Sequence, residues 1–497
     1  MSTYETSAAP ALHGEAARLA FGAIFTDHMV LQRERDIPVW GYGPARSAVE
    51  VSFGGLVRRG RVGADGRWAV RLNPGAASAE GRRLAVRLVA SGQAAALEDV
   101  LVGDVWFCSG QSNMELGLAS AADSEREVAG ADFPLIRLFL IHKTSAPAPV
   151  RTLDARWKLC TPEAVAEHGW GGFSAVGYHF GRRIHQQLGV PVGLIQAAYG
   201  GSKVQPFIDP ACMAGDPVLE AYRQEIAEAD EQWRAALAQA GLPAPEEAGA
   251  PGMELHPFAP FDQWDTLKPA SAWNAMVHPL LPFAVRGVLW YQGESDVGLA
   301  DTYELKMRAL IAGFRHSFGS QRTPVYFAQI APWAYDGNSW QLLELWQAQY
   351  AAARAPLSGI VTTVDVGDMD DIHPTNKRPV GERFAALALA KTYGRADVPA
   401  GGPELRSVRF RRGGAVLRFS TFQGAGLRTA DGAAPLGFEL AGADGVFHPA
   451  QGALEGETVV LSCLDLALPS RVRHAWQVGV TPNLTDESGV PALPFSR

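Results

Sequence analysis

The sequence predicts an α/β protein built on a parallel sheet with helices on both faces, flanked at each end by a β-rich region. Three observations carry this expectation. Between about residues 99 and 400, long apolar runs alternate with amphipathic stretches, the rhythm of strands buried on both faces and joined by helices. Short period-2 runs broken by Gly and Pro fill residues 21–97 and return from Gly401. The 497 residues are 47% hydrophobic and 19% charged, so large cores can be filled, and at about 150 residues per domain the length gives roughly three domains. The expected divisions are 1–98 (a loose leader and a β-rich domain), 99–400 (the α/β domain) and 401–497 (a second β-rich domain).

Taken in order, the N-terminal strands are read from Ile37-Pro-Val-Trp-Gly-Tyr-Gly, Val49-Glu-Val-Ser-Phe and Trp68-Ala-Val-Arg-Leu, with turn signals such as Ala64-Asp-Gly-Arg between them. These suggest a small β-sandwich. Val100-Leu-Val-Gly-Asp-Val-Trp-Phe-Cys is too continuously apolar for a half-exposed strand and reads as a buried one, followed by a helix from Met114. Further buried strands are Val192-Gly-Leu-Ile-Gln-Ala-Ala, Gly287-Val-Leu-Trp-Tyr, Val325-Tyr-Phe-Ala-Gln-Ile and Ile360-Val-Thr-Thr-Val. Helical periodicity covers 176–188, 301–318, 341–353 and 379–393. Residues 212–270 break the rhythm: a charged helix over 217–240 precedes a Pro/Gly/Ala-rich connector, an insertion that could overhang the sheet edge. Beyond 401, strands are read at Val408-Arg-Phe, Ala415-Val-Leu-Arg-Phe, Val459-Val-Leu-Ser and Ala475-Trp-Gln-Val-Gly.

Charge and cysteine usage narrow the function. With 44 Lys and Arg against 52 Asp and Glu the net charge is −8, and no basic stretch stands out, so neither nucleic acid nor an anionic membrane is an expected partner. Cys108, Cys160, Cys212 and Cys463 are scattered, with no CxxC or Cys/His spacing, which points away from a disulfide framework and a structural metal. The first ten residues show neither a basic n-region nor an apolar h-region, so a cytoplasmic protein is expected, periplasmic or secreted locations staying open. No apolar run approaches the ~18 residues of a membrane span.

Four motifs sit where strands are read to end, which in open α/β sheets is where ligands bind. Gly110-Gln-Ser-Asn places Ser112 between a buried strand and a helix, where a nucleophilic Oγ and an oxyanion-binding N–H can coincide; serine also serves as an ordinary helix N-cap. Met114 rules out the Gly-x-Ser-x-Gly elbow. Ala198-Tyr-Gly-Gly-Ser allows close backbone approach and an exposed N–H, and lacks any nucleotide-loop pattern. Trp290-Tyr-Gln-Gly-Glu-Ser-Asp offers the Gln292 amide with Glu294 and Asp296 as acceptors. Those two acids are too close in sequence to suit a glycosidase pair. Met369-Asp-Asp-Ile-His-Pro supplies His373 as a general base, with Asp370 or Asp371 to orient it. His278, before a proline in an apolar segment, reads as a packed histidine. One catalytic centre would explain all four motifs.

Gly103-Asp-Val-Trp-Phe-Cys-Ser-Gly-Gln-Ser-Asn-Met-Glu, Trp290-Tyr-Gln-Gly-Glu-Ser-Asp and Asp371-Ile-His-Pro-Thr-Asn-Lys together resemble the sialate O-acetylesterase family of SGNH hydrolases. Phe25-Thr-Asp-His-Met-Val-Leu-Gln-Arg, Arg473-His-Ala-Trp and Pro491-Ala-Leu-Pro-Phe extend the resemblance from about residue 20 to the end. It implies a three-layer α/β/α, flavodoxin-like catalytic domain with N- and C-terminal β-sandwich-like modules. It also implies a serine esterase that removes acetyl groups from an acetylated mono- or oligosaccharide without metal or other cofactor. Carried over by position, the resemblance makes Ser112 the nucleophile and His373 the base. It assigns the oxyanion to the N–H groups of Ser112 and Gly201 and the Gln292 side chain, and sugar contacts to Gln111 and Glu294. It leaves both Asp370 and Asp371 as the third member. Relatives commonly read Gly-Gly-Thr-Pro-x-Glu-Ala-Trp where this chain has Gln205 and Phe207 in place of the acid and the tryptophan. Acetylated xylan or xyloglucan as substrate, and a non-catalytic carbohydrate-binding protein, are the alternative readings.

Overall fold

A computed structural model describes residues 18–241, 267–335 and 339–497. They fall into two compact units, Met1–Leu289 with Lys306–Pro324, and Trp290–Leu305 with Val325–Arg497, so the division passes through the strand Gly287–Tyr291.

In the first unit a single 17-residue strand, Ala94–Gly110, dominates. Its opening residues pair antiparallel with Ser78–Leu88, its middle runs parallel to Val30–Gln32, and its end runs parallel to Val192–Ala198. The boundary expected near residue 98 therefore falls inside one continuous strand. It is marked by a local distortion: Asp99 has φ 54°, the ladder to Ser78–Leu88 shifts register there, and the Asp99 carboxylate is held by Arg137 Nη1 (2.6 Å) and His28 Nδ1 (2.7 Å). Past that point the burial pattern changes from half-exposed to uninterrupted, as its apolar sequence requires. Asp104, fully buried, accepts from Gln32 Nε2, Arg33 and Arg286, tying the N-terminal segment to this strand. Burial pushes its carboxyl up, but the two guanidinium groups outweigh that and hold it below the usual range.

The N-terminal strands Ile37–Tyr42, Ala48–Phe53 and Arg67–Leu72 form where period 2 placed them and bury Trp40 and Trp68. Within the unit the α/β sheet runs in the order Trp157–Cys160, Phe133–Leu140, Val192–Ala198, Ala94–Gly110. Its first pair is antiparallel, so the sheet is mixed and not wholly parallel as expected. The chain between Leu140 and Trp157 contains no crossover helix, and a return without one favours antiparallel pairing. The helix Ala175–Leu188 is capped by Ser174, whose Oγ accepts Gly177 N–H, and stops at Gly189 (φ 65°). Pro217–Ala240 forms over the predicted residues. The insertion expected over 212–270 to overhang the site has its connector, 242–266, outside the described residues.

The second unit contains the parallel pair Val325–Ala328 and Ser358–Val361 with the helices Ser339–Ala352 and Arg378–Lys391. From Glu404 two four-stranded antiparallel sheets, with Gly414–Ser420 in one and Phe438–Ala441 in the other, enclose a shared core that includes Leu417, Phe419, Leu440 and Phe495. The strand predicted at 475–479 is absent: the strand is Arg471–His474, and Ala475, at φ 47°, turns the chain out of the sheet. Among the described residues no helix is long and apolar enough to cross a membrane. The four cysteines are free thiols, three of them buried.

Candidate active site

Register brings Ser112 and the glycine turn together. In the parallel pair, Ser109 lies opposite Ala197 and Gly110 opposite Ala198, so the residues just beyond each strand emerge at the same sheet edge. Ser109 Oγ donates to the Ala197 carbonyl (2.6 Å) and Tyr199 N–H to the Gly110 carbonyl (2.9 Å), locking the two ends. Gly200 then passes so close that a Cβ added to it would stand 3.5 Å from the Ser112 Cβ and 2.8 Å from Glu115 Oε2. Gly201 follows at φ +77°, a conformation natural to glycine.

The helix expected from Met114 shrinks to one turn, Ser112–Glu115, followed by a 3₁₀ turn over Leu118–Ser120. Gly117 is the reason: its N–H is taken by the Trp170 carbonyl, and a Cβ there would collide with the Gly171 carbonyl, so the chain leaves the helix to dock on residues 170–173. Ser112 is the first residue of that turn and not its cap. Gln111 holds the cap position, makes no side-chain capping bond and is almost fully buried. Ser112 is itself only 9% exposed. Glu115, three residues on, accepts the Gly200 N–H through Oε2 (2.8 Å) and pairs through Oε1 with Lys143 (3.2 Å).

Gln292, Glu294, Asp370, Asp371 and His373 belong to the second unit. Gln292 follows the strand Gly287–Tyr291 and is fully buried. Its Nε2 donates to Asp296 Oδ2 (2.7 Å), which takes one of the two amide hydrogens and fixes which way the carboxamide faces. Its backbone carbonyl accepts from the Tyr303 hydroxyl (3.1 Å) and from Gln349 Nε2 (3.3 Å). Burial pushes the Tyr303 hydroxyl well up, so it remains a donor at neutral pH. Glu294 and Asp296 lie in a 3₁₀ turn, both buried; Asp296 is engaged in holding Gln292.

His373 stands on the loop after Ser358–Val361, its side chain 29% exposed. Asp371 Oδ1 accepts the His373 backbone N–H (2.8 Å) and lies 3.9 Å from Nδ1, against the ring but beyond hydrogen-bond length. Asp370 is exposed, and its backbone N–H is directed to Asp368 (2.9 Å). His278 is packed as expected, its Nδ1 at 2.8 Å from the Val150 carbonyl.

Glu115, Lys143, Tyr303, Gln349 and Lys377 escaped the sequence reading. Glu115 carried a signal, since it lies three positions after Ser112 within one helical turn. Tyr303 and Gln349 carried none, because they lie in helices whose periodicity marks them as ordinary packing positions. Lys377 was visible only as the last letter of a motif. It is 1% exposed, with its ammonium 5.5 Å from the Tyr291 ring centroid. Burial pushes it down to about 7, although Glu294 and Asp371 pull the other way. Among the described residues no three His, Cys, Asp or Glu side chains gather as a metal site.

A family model described as carbohydrate esterase, sialic acid-specific acetylesterase, matches residues 262–390, the segment holding Gln292, Glu294, Asp371 and His373. The sialate O-acetylesterase of Rattus norvegicus is 27% identical over 426 residues, covering 78% of this chain and 76% of the relative. The enzyme of that name from Homo sapiens is 25% identical over 442 residues, covering 81% and 76%. A solved carbohydrate acetylesterase from Xanthomonas citri superposes with a TM-score of 0.81 at 32% identity, over 96% of this chain and 99% of that one.

Proposed function

The chain belongs to the sialate O-acetylesterase family of carbohydrate esterases, and we propose that it releases acetate from acetylated mono- or oligosaccharides by two-step acyl transfer through Ser112. Ser112 Oγ attacks the acetyl carbonyl while His373 takes its proton. The Ser112 and Gly201 N–H groups and the Gln292 carboxamide carry the oxyanion, and His373 returns the proton to the departing sugar oxygen. Water then attacks the acetyl-enzyme with His373 again as base, giving acetate and free Ser112. Asp371 is the orienting carboxylate in this reading, supported by its 3.9 Å approach to Nδ1.

The observation that carries the proposal is the strand register that sets Gly200 against Ser112 at the carboxyl edge of the sheet. A serine there has backbone donors beside it and stands one position past the N-cap, which Gln111 occupies.

A fluorophosphonate probe and an acetate assay test it. Wild type is labelled at Ser112 and releases acetate from acetylated xylan, xyloglucan or sialosides. Ser112→Ala loses both, His373→Ala is labelled far more slowly, and Gln292→Ala turns over about 10²–10³ times more slowly. Wild-type rates on p-nitrophenyl acetate in Ser112→Ala would end the proposal.

A further inference from the structure

A depression of about 170 Å³ adjoins the turn that carries Ser112, with Glu115, His142, Lys143, Trp170 and Ala198 among its walls. Two of these walls tie it to the nucleophile. Glu115 ends the helical turn that Ser112 begins and holds the Gly200 N–H; Ala198 ends the strand paired with the one leading to Ser112. A second depression, of about 210 Å³, shares Leu140 and His142 with the first, so the two are neighbours.

Trp170 is the unusual wall. It sits among Gly169, Gly171 and Gly172, all at positive φ. The loop's backbone is nonetheless fixed. The Trp170, Gly171 and Phe173 carbonyls accept the N–H groups of Gly117 (2.9 Å), Ala119 (2.9 Å) and Leu118 (3.0 Å), the segment directly after the Ser112 turn. On this rigid support Trp170 is 39% exposed, whereas Trp40, Trp106, Trp157, Trp290 and Trp346 are almost completely buried. A rigid, flat apolar face with a polar edge suits a ligand that presents a face of C–H groups and a rim of hydroxyls. That describes a pyranose ring. The cation nearest at hand, Lys143, is already compensated by Glu115 at 3.2 Å, so that pair offers a donor and an acceptor for hydroxyls without excess positive charge for a carboxylate.

We propose that this depression is a subsite for a neutral pyranose ring of the acetylated saccharide, with the Trp170 indole as stacking platform and Lys143 and Glu115 as hydroxyl contacts. The assignment rests on the acyl-transfer reading above, because it places the sugar beside Ser112.

The test compares two esters that share the acetyl group: an acetylated xylo-oligosaccharide, and vinyl acetate, whose leaving group has no ring to stack. Trp170→Ala lowers kcat/KM on the saccharide about tenfold more than on vinyl acetate, chiefly through KM, and Trp170→Phe recovers most of the difference. Independently of any Trp170 variant's folding, non-acetylated xylo-oligosaccharide alters the tryptophan fluorescence of Ser112→Ala. Equal losses on both esters in Trp170→Ala, or none on either, would overturn the subsite. So would a loss confined to an acetylated sialoside, whose ring carries a carboxylate. Failure of the subsite is separable from failure of the mechanism, since Ser112→Ala abolishes acetate release from both esters whether or not Trp170 matters.

Discussion

Lys377 shows what a single residue can hold that its sequence position does not announce. Nothing in its sequence context, four places after a histidine, marks this lysine as buried, yet the chain buries it, with the Tyr291 ring beneath the ammonium. Removing an ammonium from water disfavours its charged form, and Glu294 and Asp371 only partly compensate. Its folded pKa of about 7 lies below the 10.5 of the unfolded chain, so between those values the unfolded state binds more protons. Stability from this group is therefore greatest above pH 10.5, declines as pH falls toward 7, and stays lowered below that. Lys377→Met removes the titration. We expect the melting temperature of wild type, measured against that variant, to rise as pH goes from 6 to 10; parallel profiles would show that the ammonium is better solvated than its burial indicates. Ser112, Gln292 and His373 were legible because each lies beyond an apolar strand. What holds them was not. The Asp296–Gln292 bond can be suspected from a spacing of four residues, but the Tyr303 and Gln349 contacts join positions 11 and 57 residues away and leave no pattern in either segment.

Elements were most legible where burial forces one periodicity. Val192–Ala198, Gly287–Tyr291 and Pro217–Ala240 match their predicted bounds, the first two because every residue is buried, the third because Asp216 caps one end and Gly241 (φ 67°) ends the other. Phe133–Leu140 was missed: Pro134 discourages a strand reading, and the residue lies near the start of the strand, where a missing N–H is tolerated. The turn after Ser112 was read as a helix because its composition is helical, whereas a tertiary contact at Gly117 ends it. Register, which sequence cannot show, aligns the serine and glycine strands, and it exposes a sensitive point. Gly200→Ala puts a methyl 2.8 Å from Glu115 Oε2. That carboxylate must shift, and it weakens both the Gly200 N–H bond and the Lys143 pair while the strands stay intact. We expect an unchanged melting temperature within a few degrees and turnover lowered about 10–100-fold, since small misplacements near reacting groups are expensive in rate. Unaltered turnover would mean that the turn tolerates the shift and that its position does not set the oxyanion donors.

At the scale of the whole molecule, composition predicts large apolar cores and three regions of distinct texture. It did not show that a single strand would serve two of those regions, nor how charge would respond to acid. The displaced groups that titrate in acid share one sign. Asp104 and Asp99 are held below the usual carboxylate range by arginines in spite of partial or full burial, and Asp397, bound by Arg395, falls to about 2. His474, wholly buried with its ring 4.3 Å from that of Phe438, is pushed down to about 3 by desolvation, although backbone contacts to Leu493 and Leu436 favour the charged form. Each binds fewer protons folded than unfolded, so stability falls on acidification. The histidine acts first. Its unfolded value is 6.5, so its contribution begins to disappear just below that pH and continues to be lost down to about 3, whereas the carboxylates matter only below about 4. His474→Gln keeps a polar side chain beside Phe438 and Phe495 but cannot titrate. Between pH 7 and 4.5 the urea midpoint of wild type should fall more steeply than that of the variant, bringing the two curves together as acid is added. If the curves stay parallel, His474 is protonated in the folded chain and the C-terminal core is more accessible to water than its packing around Phe438 and Phe495 implies.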